Sequence, residues 1–248
     1  MIEYFGEFLG TMILILLGNG VVANVNLDKT HSHGAGWIVI TFGWGMAVYV
    51  AVLVSTDMSG AHLNPAVTLG LAFSGLFSWM KVAPFILFQI LGAMAGASLV
   101  YVFFKNHFRI TEIPGAKKAC FCTAPAIRNF TNNFFSEVVG SFVLILAVLL
   151  ITLPQLDYVS LAGQKVGMGS LGALPVALVV LSIGLSLGGT TGYAINPARD
   201  LGPRIVHTLL PLKNKDNNDW QYAWIPVAGP VVGAGLAAAV YLLINCMC

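Results

Sequence analysis

The chain has 248 residues, of which 57% are apolar (AVILMFWYC) and 9% charged, with a formal net charge of +2. Soluble domains carry roughly 25% charged residues, so this composition cannot cover a water-exposed surface and excludes a soluble fold. The near-neutral balance also argues against a nucleic-acid partner. Mean hydropathy is +0.84.

Apolar runs of about 20 residues, the length that crosses a bilayer, are read at Phe5 to Val25, Trp37 to Val54, Val82 to Phe104, Phe134 to Leu153, Leu174 to Leu187 and Tyr222 to Ile244. The first follows Glu3 and Glu7 with no basic stretch before it, so no cleavable signal peptide is expected. Two further apolar stretches, Asn64 to Ser74 and Asn196 to Leu210, are too short to cross. At about 1.5 Å per residue each reaches roughly halfway through a hydrocarbon core of about 30 Å. Each opens with Asn-Pro-Ala: Asn64, Pro65, Ala66 and Asn196, Pro197, Ala198. Asn as N-cap followed by Pro at the first helical position is a helix start. Each is preceded by a Gly-rich, non-helical segment, Ser59 to Leu63 and Gly188 to Ile195. Irregular backbone at membrane depth is tolerated only inside protein or along a wet cavity, so these segments are expected to be re-entrant loops. The four cysteines form two CxC pairs, Cys120/Cys122 and Cys246/Cys248. Neither pair has zinc spacing or a histidine partner, and ordinary thiols near the membrane surface are expected.

The chain reads as a duplication. EFLGTMILIL (Glu7 to Leu16) matches EVVGSFVLIL (Glu137 to Leu146), HLNPAVTLG matches AINPARDLG, and QILGA (Gln89 to Ala93) matches PVVGA (Pro230 to Ala234), in the same order. Each half holds an odd number of spans, so the halves must point in opposite directions, an inverted repeat. The two half-helices then meet N-terminus to N-terminus near the midplane. Glycines at i, i+4 spacing (Gly6/Gly10, Gly92/Gly96, Gly184/Gly188/Gly192, Gly229/Gly233) are expected to let helix backbones approach closely.

Ionisable residues within spans are costly and mark functional sites by default. Glu7 and Glu137 stand at equivalent places. They are either a proton or cation site or, as their symmetry favours, carboxylates that brace one loop each through its backbone N–H groups. Arg199, early in the second half-helix, offers five donors and a permanent charge to the wet region. Asp200 and Arg204 follow at a spacing that lets them pair. Asn64 and Asn196 keep spare NH₂ donors after capping, and two positive helix ends, each roughly half a charge, face the meeting point. A pore there rejects cations and protons and accepts neutral molecules that offer an oxygen.

The segments SGAHLNPAVTLG (Ser59 to Gly70) and GYAINPARDLGPR (Gly192 to Arg204) resemble those of the major intrinsic proteins, the aquaporin and glycerol facilitator family. The resemblance covers essentially the whole chain. It implies an all-α membrane fold of six transmembrane helices plus two re-entrant half-helices in an inverted repeat. Residues 1–248 would form one channel domain, with repeats at about 1–106 and 132–248. It also implies one pore per subunit, a homotetramer in the plasma membrane and both termini in the cytoplasm. By motif position the family's constriction maps onto Trp44, Gly184, Tyr193 and Arg199. Gly184, where water-selective members carry His, is expected to widen the gap, and Trp44 stands where they carry Phe. Trp44 and Tyr193 would form an apolar wedge opposite Arg199. Asp200 after the arginine follows the glycerol-channel pattern, and Arg204, Pro226 and Val227 fit the other branch-sorting positions. Carbonyls of Gly60, Ala61, His62 and Leu63, and of Thr190, Thr191, Gly192 and Ala194, would form acceptor ladders, with the His62 side chain bracing its loop rather than meeting the solute.

The function implied is passive conduction of glycerol, related small polyols and water across the lipid bilayer, with ions and protons excluded. Dihydroxyacetone, urea, hydrogen peroxide and undissociated lactic acid stay open as solutes. Glycerol facilitators commonly have Phe where this chain has Tyr193, so the extra hydroxyl is expected to narrow the slot or make its wall more polar. The alternatives are a water-selective aquaporin and, less favoured, an ion-coupled secondary transporter, which can also be an inverted repeat with broken helices. No HExxH, GxSxG or nucleotide motif is found, and no catalytic group, cofactor or metal is expected. Charge conflicts with the implied orientation. Lys81 and Lys165 lie on the implied cytoplasmic side, against Lys29, Lys105, Arg109, Lys117, Lys118, Arg128, Lys213 and Lys215 outside. The positive-inside rule alone would place the N-terminus outside. The family orientation is preferred, with protease access at Lys117–Lys118 as its check. Asn129-Phe130-Thr131 on that loop matches a glycosylation sequon.

Overall fold

The two Asn-Pro-Ala motifs start helices, as expected, and all else is arranged around them. In this computed structural model, which describes residues 1–152 and 167–247, the helices in chain order are α1 (Ile2–Asn26), α2 (Trp37–Ser59), α3 (Pro65–Phe73), α4 (Trp79–Phe103), α5 (Lys105–Ile110), α6 (Pro114–Ala119), α7 (Phe130–Leu150), α8 (Leu174–Ser186), α9 (Pro197–Leu209) and α10 (Ile225–Met247). A 3₁₀ turn, Gly169–Ala173, leads into α8, and no strand occurs among the described residues. Six of these stretches are long and apolar enough to cross a membrane: α1, α2, α4, α7, α10, and the 3₁₀ turn with α8. The protein is a multi-pass membrane protein. Its outer surface carries apolar side chains such as Ile38, Phe42, Leu87, Val102, Leu178 and Leu236, all exposed, as a lipid-facing surface requires.

Helix ends differ from the sequence reading where a cap or a turn intervenes. α7 starts at Phe130 rather than Phe134 because the Asn129 side chain accepts the Asn132 N–H at 3.1 Å. The sequon asparagine therefore serves as an N-cap. α2 runs on to Ser59, past the expected Val54, and stops where Gly60 takes φ 80. The short helices α5 and α6, in the loop between α4 and α7, have no periodic signal and were not foreseen. Leu153, the expected end of the fourth span, lies outside the described residues, as do Lys165 and Cys248.

α1 packs on α2 and α4, and α7 on α10. The short helices cross over: α3 packs on α10, from the other half of the chain, and α9 on α4. At about 1.5 Å per residue, α3 and α9, with 9 and 13 residues, together have about the length of one membrane crossing. Glycines set the closest approaches. A Cβ at Gly92 would sit 2.3 Å from the Phe8 carbonyl oxygen, at Gly96 2.5 Å from that of Met12, and at Gly233 2.5 Å from that of Val138. These match the expected close packing. Gly184 and Gly188 do not: a Cβ there would meet the Tyr193 ring, at 2.8 and 2.5 Å, so they make room for a side chain rather than for a helix.

Candidate functional site: two facing half-helices and a three-residue constriction

The asparagine caps do two jobs. Asn64 Oδ1 accepts the Ala66 N–H at 2.8 Å, and Asn196 Oδ1 accepts those of Ala198 and Arg199 at 3.0 and 3.2 Å. Each amide nitrogen then reaches the opposite loop: Asn64 Nδ2 donates to the Ile195 carbonyl at 2.9 Å and Asn196 Nδ2 to the Leu63 carbonyl at 2.8 Å. The spare donors inferred from the sequence are thus half committed. One N–H of each holds the half-helices end to end, and one is left for the lumen that both residues line.

The loops before these caps carry backbone strain at matching places. Ala61 and Leu63 have φ 54 and 52, and Tyr193 and Ile195 have φ 37 and 42. Each such non-glycine residue costs about 1–3 kcal/mol, so something must hold it. Glu7 accepts the His62 and Leu63 N–H groups at 3.0 and 2.7 Å and the Ser59 hydroxyl at 2.7 Å. Glu137 accepts the Ala194 and Ile195 N–H groups at 3.0 and 2.8 Å and the Thr191 hydroxyl at 2.7 Å. Both carboxylates are buried, and the two sets of partners correspond one for one. This is the bracing geometry rather than an open ion site. Gln89 adds a donor to Glu7 at 2.7 Å and another to Thr68 at 2.9 Å. His62 Nδ1 lies 3.1 Å from the Thr68 hydroxyl, and its ring packs edge-on against Phe77.

Two cavities lie along this axis. One of about 310 Å³ is lined by Gly60, Ala61, His62, Leu63, Ala194 and both capping asparagines, with apolar side chains such as Leu14, Val48, Val67 and Val180 opposite. The other, about 340 Å³, is lined by Asn26, Trp37, Lys118, Cys122, Thr123, Gly192 and Asp216, among others. Trp44, Tyr193 and Arg199 line both, so the passage is narrowed between them. The expected carbonyl ladder needs correction at two steps. Thr190 and Thr191 line neither cavity, and the Thr190 carbonyl accepts the Ala126 N–H at 3.0 Å.

At the narrowing, the Arg199 guanidinium lies 4.4 Å from the Trp44 ring centre, in cation–π geometry, and its Nη1 is 3.4 Å from the Phe121 carbonyl oxygen. Trp44 can tuck back only because residue 18 is glycine; a Cβ there would stand 2.3 Å from the indole. Gly184 lines neither cavity and does not open a gap as expected. The space a side chain would fill is taken by the Tyr193 ring, which is boxed behind by Gly188 and meets Trp37 edge-on at 5.7 Å. Trp37 in turn donates its indole N–H to the Gly184 carbonyl at 3.0 Å. The Tyr193 hydroxyl, expected to narrow the slot or make its wall polar, is buried beside Gly184, without a hydrogen-bond partner among the described residues. The lumen therefore meets an aromatic ring and not a hydroxyl.

Asp200 points away from the lumen. It accepts the Thr123 N–H and hydroxyl at 2.8 and 2.6 Å and pairs with Arg204 Nε at 2.7 Å, as the sequence spacing suggested. Arg204 Nη2 reaches the Thr123 carbonyl at 3.0 Å. Together they fasten the loop 120–124 to α9. In that loop Cys120 and Cys122 are free thiols, as expected, and buried within the protein, which pushes the Cys122 thiol up to about 12. Between them, the Phe121 carbonyl takes donors from both Arg199 and Asn19 Nδ2, the latter at 3.2 Å. Lys117 is buried and donates to the Lys213 carbonyl, so this dibasic site is shielded from protease in either orientation and does not report topology. Sequence reasoning missed Gln89, Asn19 and Phe121. The first two had a signal, an amide side chain within an apolar span. Phe121 had none, because its backbone oxygen does the work.

A family model described as major intrinsic protein matches residues 1–241. The chain is 55% identical over 243 residues to a glycerol uptake facilitator protein of Streptococcus pneumoniae, covering 98% of this chain and 99% of that one. It is 51% identical over 241 residues to a probable glycerol uptake facilitator protein of Thermotoga maritima, covering 97% and 98%. The X-ray structure of the aquaglyceroporin from Plasmodium falciparum superposes with a TM-score of 0.82 at 35% identity, covering 96% of this chain and 94% of that one. On its half-helices and these matches, the chain belongs to the major intrinsic protein family.

Proposed function

We propose that the protein is a passive channel for glycerol, related small polyols and water, one pore per subunit of a homotetramer in the plasma membrane, with both termini in the cytoplasm. Residues 1–248 act as one channel unit built from repeats at about 1–106 and 132–248. The observation that carries this reading is the pair of cavities that share Trp44, Tyr193 and Arg199 in their linings. That constriction is amphipathic. The Tyr193 ring and the part of the Trp44 indole that Arg199 leaves uncovered accept the C–H side of a polyol, and Arg199, held on one side by Trp44 and Phe121, offers its remaining N–H groups to hydroxyls.

Selection then needs no chemical step. A permeating triol exchanges water hydrogen bonds for those of Arg199, the two asparagine amides and the carbonyls of Gly60, Ala61, His62 and Ala194. Each neutral exchange nets only about 0.5–1.5 kcal/mol, so the path is nearly level. An ion would lose far more hydration than this lining restores, and the two positive helix ends repel cations besides. In this account Gly184 is the seat of Tyr193, and Glu7, Glu137 and Asp200 are braces that keep the lining in place. The names of the relatives support glycerol as the solute.

The test is reconstitution in liposomes, followed by light scattering after shifts into glycerol, urea, sorbitol and an impermeant osmolyte. Fast re-swelling in glycerol but not in sorbitol is expected, with no dependence on an ion gradient. Water shrinkage without glycerol re-swelling would overturn the polyol reading in favour of a water-selective pore.

A further inference from the structure

The outer loop that ends in Phe121 is tied to the segment following α9 by several contacts. Asn214 donates to Glu112 at 2.7 Å and Lys117 to the Lys213 carbonyl, while Arg204, on α9 and bound to the loop at the Thr123 carbonyl, donates to the carbonyls of Asn218 and Asp219 at 2.7 and 3.1 Å. One further tie differs in what it touches. Lys118 Nζ pairs with Asp216 at 2.5 Å, and both residues line the outer cavity just above the constriction. The Lys118 carbonyl accepts the N–H groups of Phe121 and Cys122 at 2.9 and 3.2 Å, closing the turn whose Phe121 carbonyl faces Arg199. The chain of contacts thus runs from the Asp216 carboxylate through Lys118 and the Phe121 peptide to the Arg199 guanidinium.

We propose that Lys118 and Asp216 are a positioning pair for solute discrimination: their ion pair fixes the Phe121 turn and thereby the orientation of Arg199 in the constriction. The Lys118 ammonium holds the Asp216 carboxyl below the usual aspartate range, so the pair stays charged at neutral pH. Among the described residues the Arg199 guanidinium otherwise rests on the Trp44 face, which fixes its plane but not its rotation within that plane. The Phe121 carbonyl supplies that second constraint. A polyol needs two donors aligned with neighbouring hydroxyls at once, whereas water takes one donor at a time. A loosened Arg199 therefore penalises glycerol more than water.

The inference rests on the channel reading above, and the two fail differently. Wild-type protein that passes no glycerol defeats the channel reading, whereas wild-type conduction with an insensitive pair defeats only this proposal. The variants are Asp216→Asn, Lys118→Met, Asp216→Glu, the exchange Lys118→Glu with Asp216→Lys, and a control, Lys105→Met, on the exposed helix α5. Each is reconstituted, and its glycerol and water permeabilities are taken from the same vesicles, so that their ratio is independent of the amount of folded channel. The expected result is a fall in the glycerol-to-water ratio of about threefold to tenfold in Asp216→Asn and Lys118→Met, the range one neutral hydrogen bond carries. The ratio returns towards wild type in Asp216→Glu and in the exchanged pair, and is unaltered in Lys105→Met. If one of the two single variants fails to assemble, the other carries the measurement. A ratio unchanged in the single variants, two permeabilities that fall in proportion, or an exchange that restores nothing would overturn the proposal.

Discussion

Replacing Gly184 by alanine tests the constriction most directly. The new Cβ would stand 2.8 Å from Tyr193 Cζ, 3.0 Å from its hydroxyl oxygen and 3.0 Å from Thr41 Cγ2. Carbon atoms rest at about 3.5–4.0 Å, so the tyrosine ring must give way by roughly 0.7–1.2 Å. It has little room behind: Gly188 already lies against Cδ1, and Trp37 stands at the ring edge. Its backbone is pinned by the two N–H groups that Glu137 accepts immediately after it. The open direction is the lumen, towards Trp44 and Arg199. Overpacking of this kind costs about 1–3 kcal/mol. If about 1 kcal/mol of that falls on the glycerol-occupied constriction, glycerol permeability drops about fivefold, at 1.36 kcal/mol per factor of ten. Water, smaller than the displaced slot, loses less. Stopped-flow light scattering on proteoliposomes, normalised to channel content, reads both. A Gly184→Ala protein that assembles normally and passes glycerol as fast as wild type would refute the assignment of Tyr193 to the constriction wall.

Three further outcomes are expected. Tyr193→Phe removes a buried hydroxyl without a partner among the described residues, a group whose burial costs about 1–3 kcal/mol, so glycerol flux stays at the wild-type level while the thermal unfolding midpoint in detergent rises; a many-fold loss of flux would mean that the hydroxyl meets the solute. Asp200→Asn strips a buried Arg204 of its counter-charge and disturbs the Thr123 contact, which at about 3–5 kcal/mol for a broken buried pair markedly lowers the unfolding midpoint; an unshifted midpoint would show that the outer loop is held by other contacts. With Cys120 and Cys122 buried and Cys246 exposed, a membrane-impermeant maleimide in a Cys248→Ser background labels Cys246 only after cells are permeabilised if the C-terminus is cytoplasmic; labelling of intact cells would vindicate the charge rule instead.

Some of this site could be read from the sequence because its signals are local. The Asn-Pro start, the apolar run that follows and the glycine-rich stretch before it are governed by a few neighbouring residues, so both half-helices were placed within about one residue of their true ends, inside the usual boundary scatter. The pairing of Asp200 with Arg204 is likewise a one-turn neighbourhood. Gly184 was misjudged for the opposite reason. An empty side-chain position says nothing about what fills it, and here the Tyr193 ring, nine residues on, reaches back into that space. The burial of Cys120 and Cys122 likewise depends on how a basic loop folds down over the pore mouth.

By itself the sequence determined that the chain lives in a membrane, that it is duplicated, and that two short capped helices must meet around a wet space. Hydropathy, period and capping are properties of contiguous residues, and they survive without knowledge of the fold. Only the tertiary structure decided how Arg199 is held, where the tyrosine hydroxyl goes, and which carbonyls remain free for a solute. Those depend on contacts between residues far apart in the chain, Trp44 with Arg199 and Phe121 with Arg199 and Asn19, and on whether each polar atom is already spent on another partner.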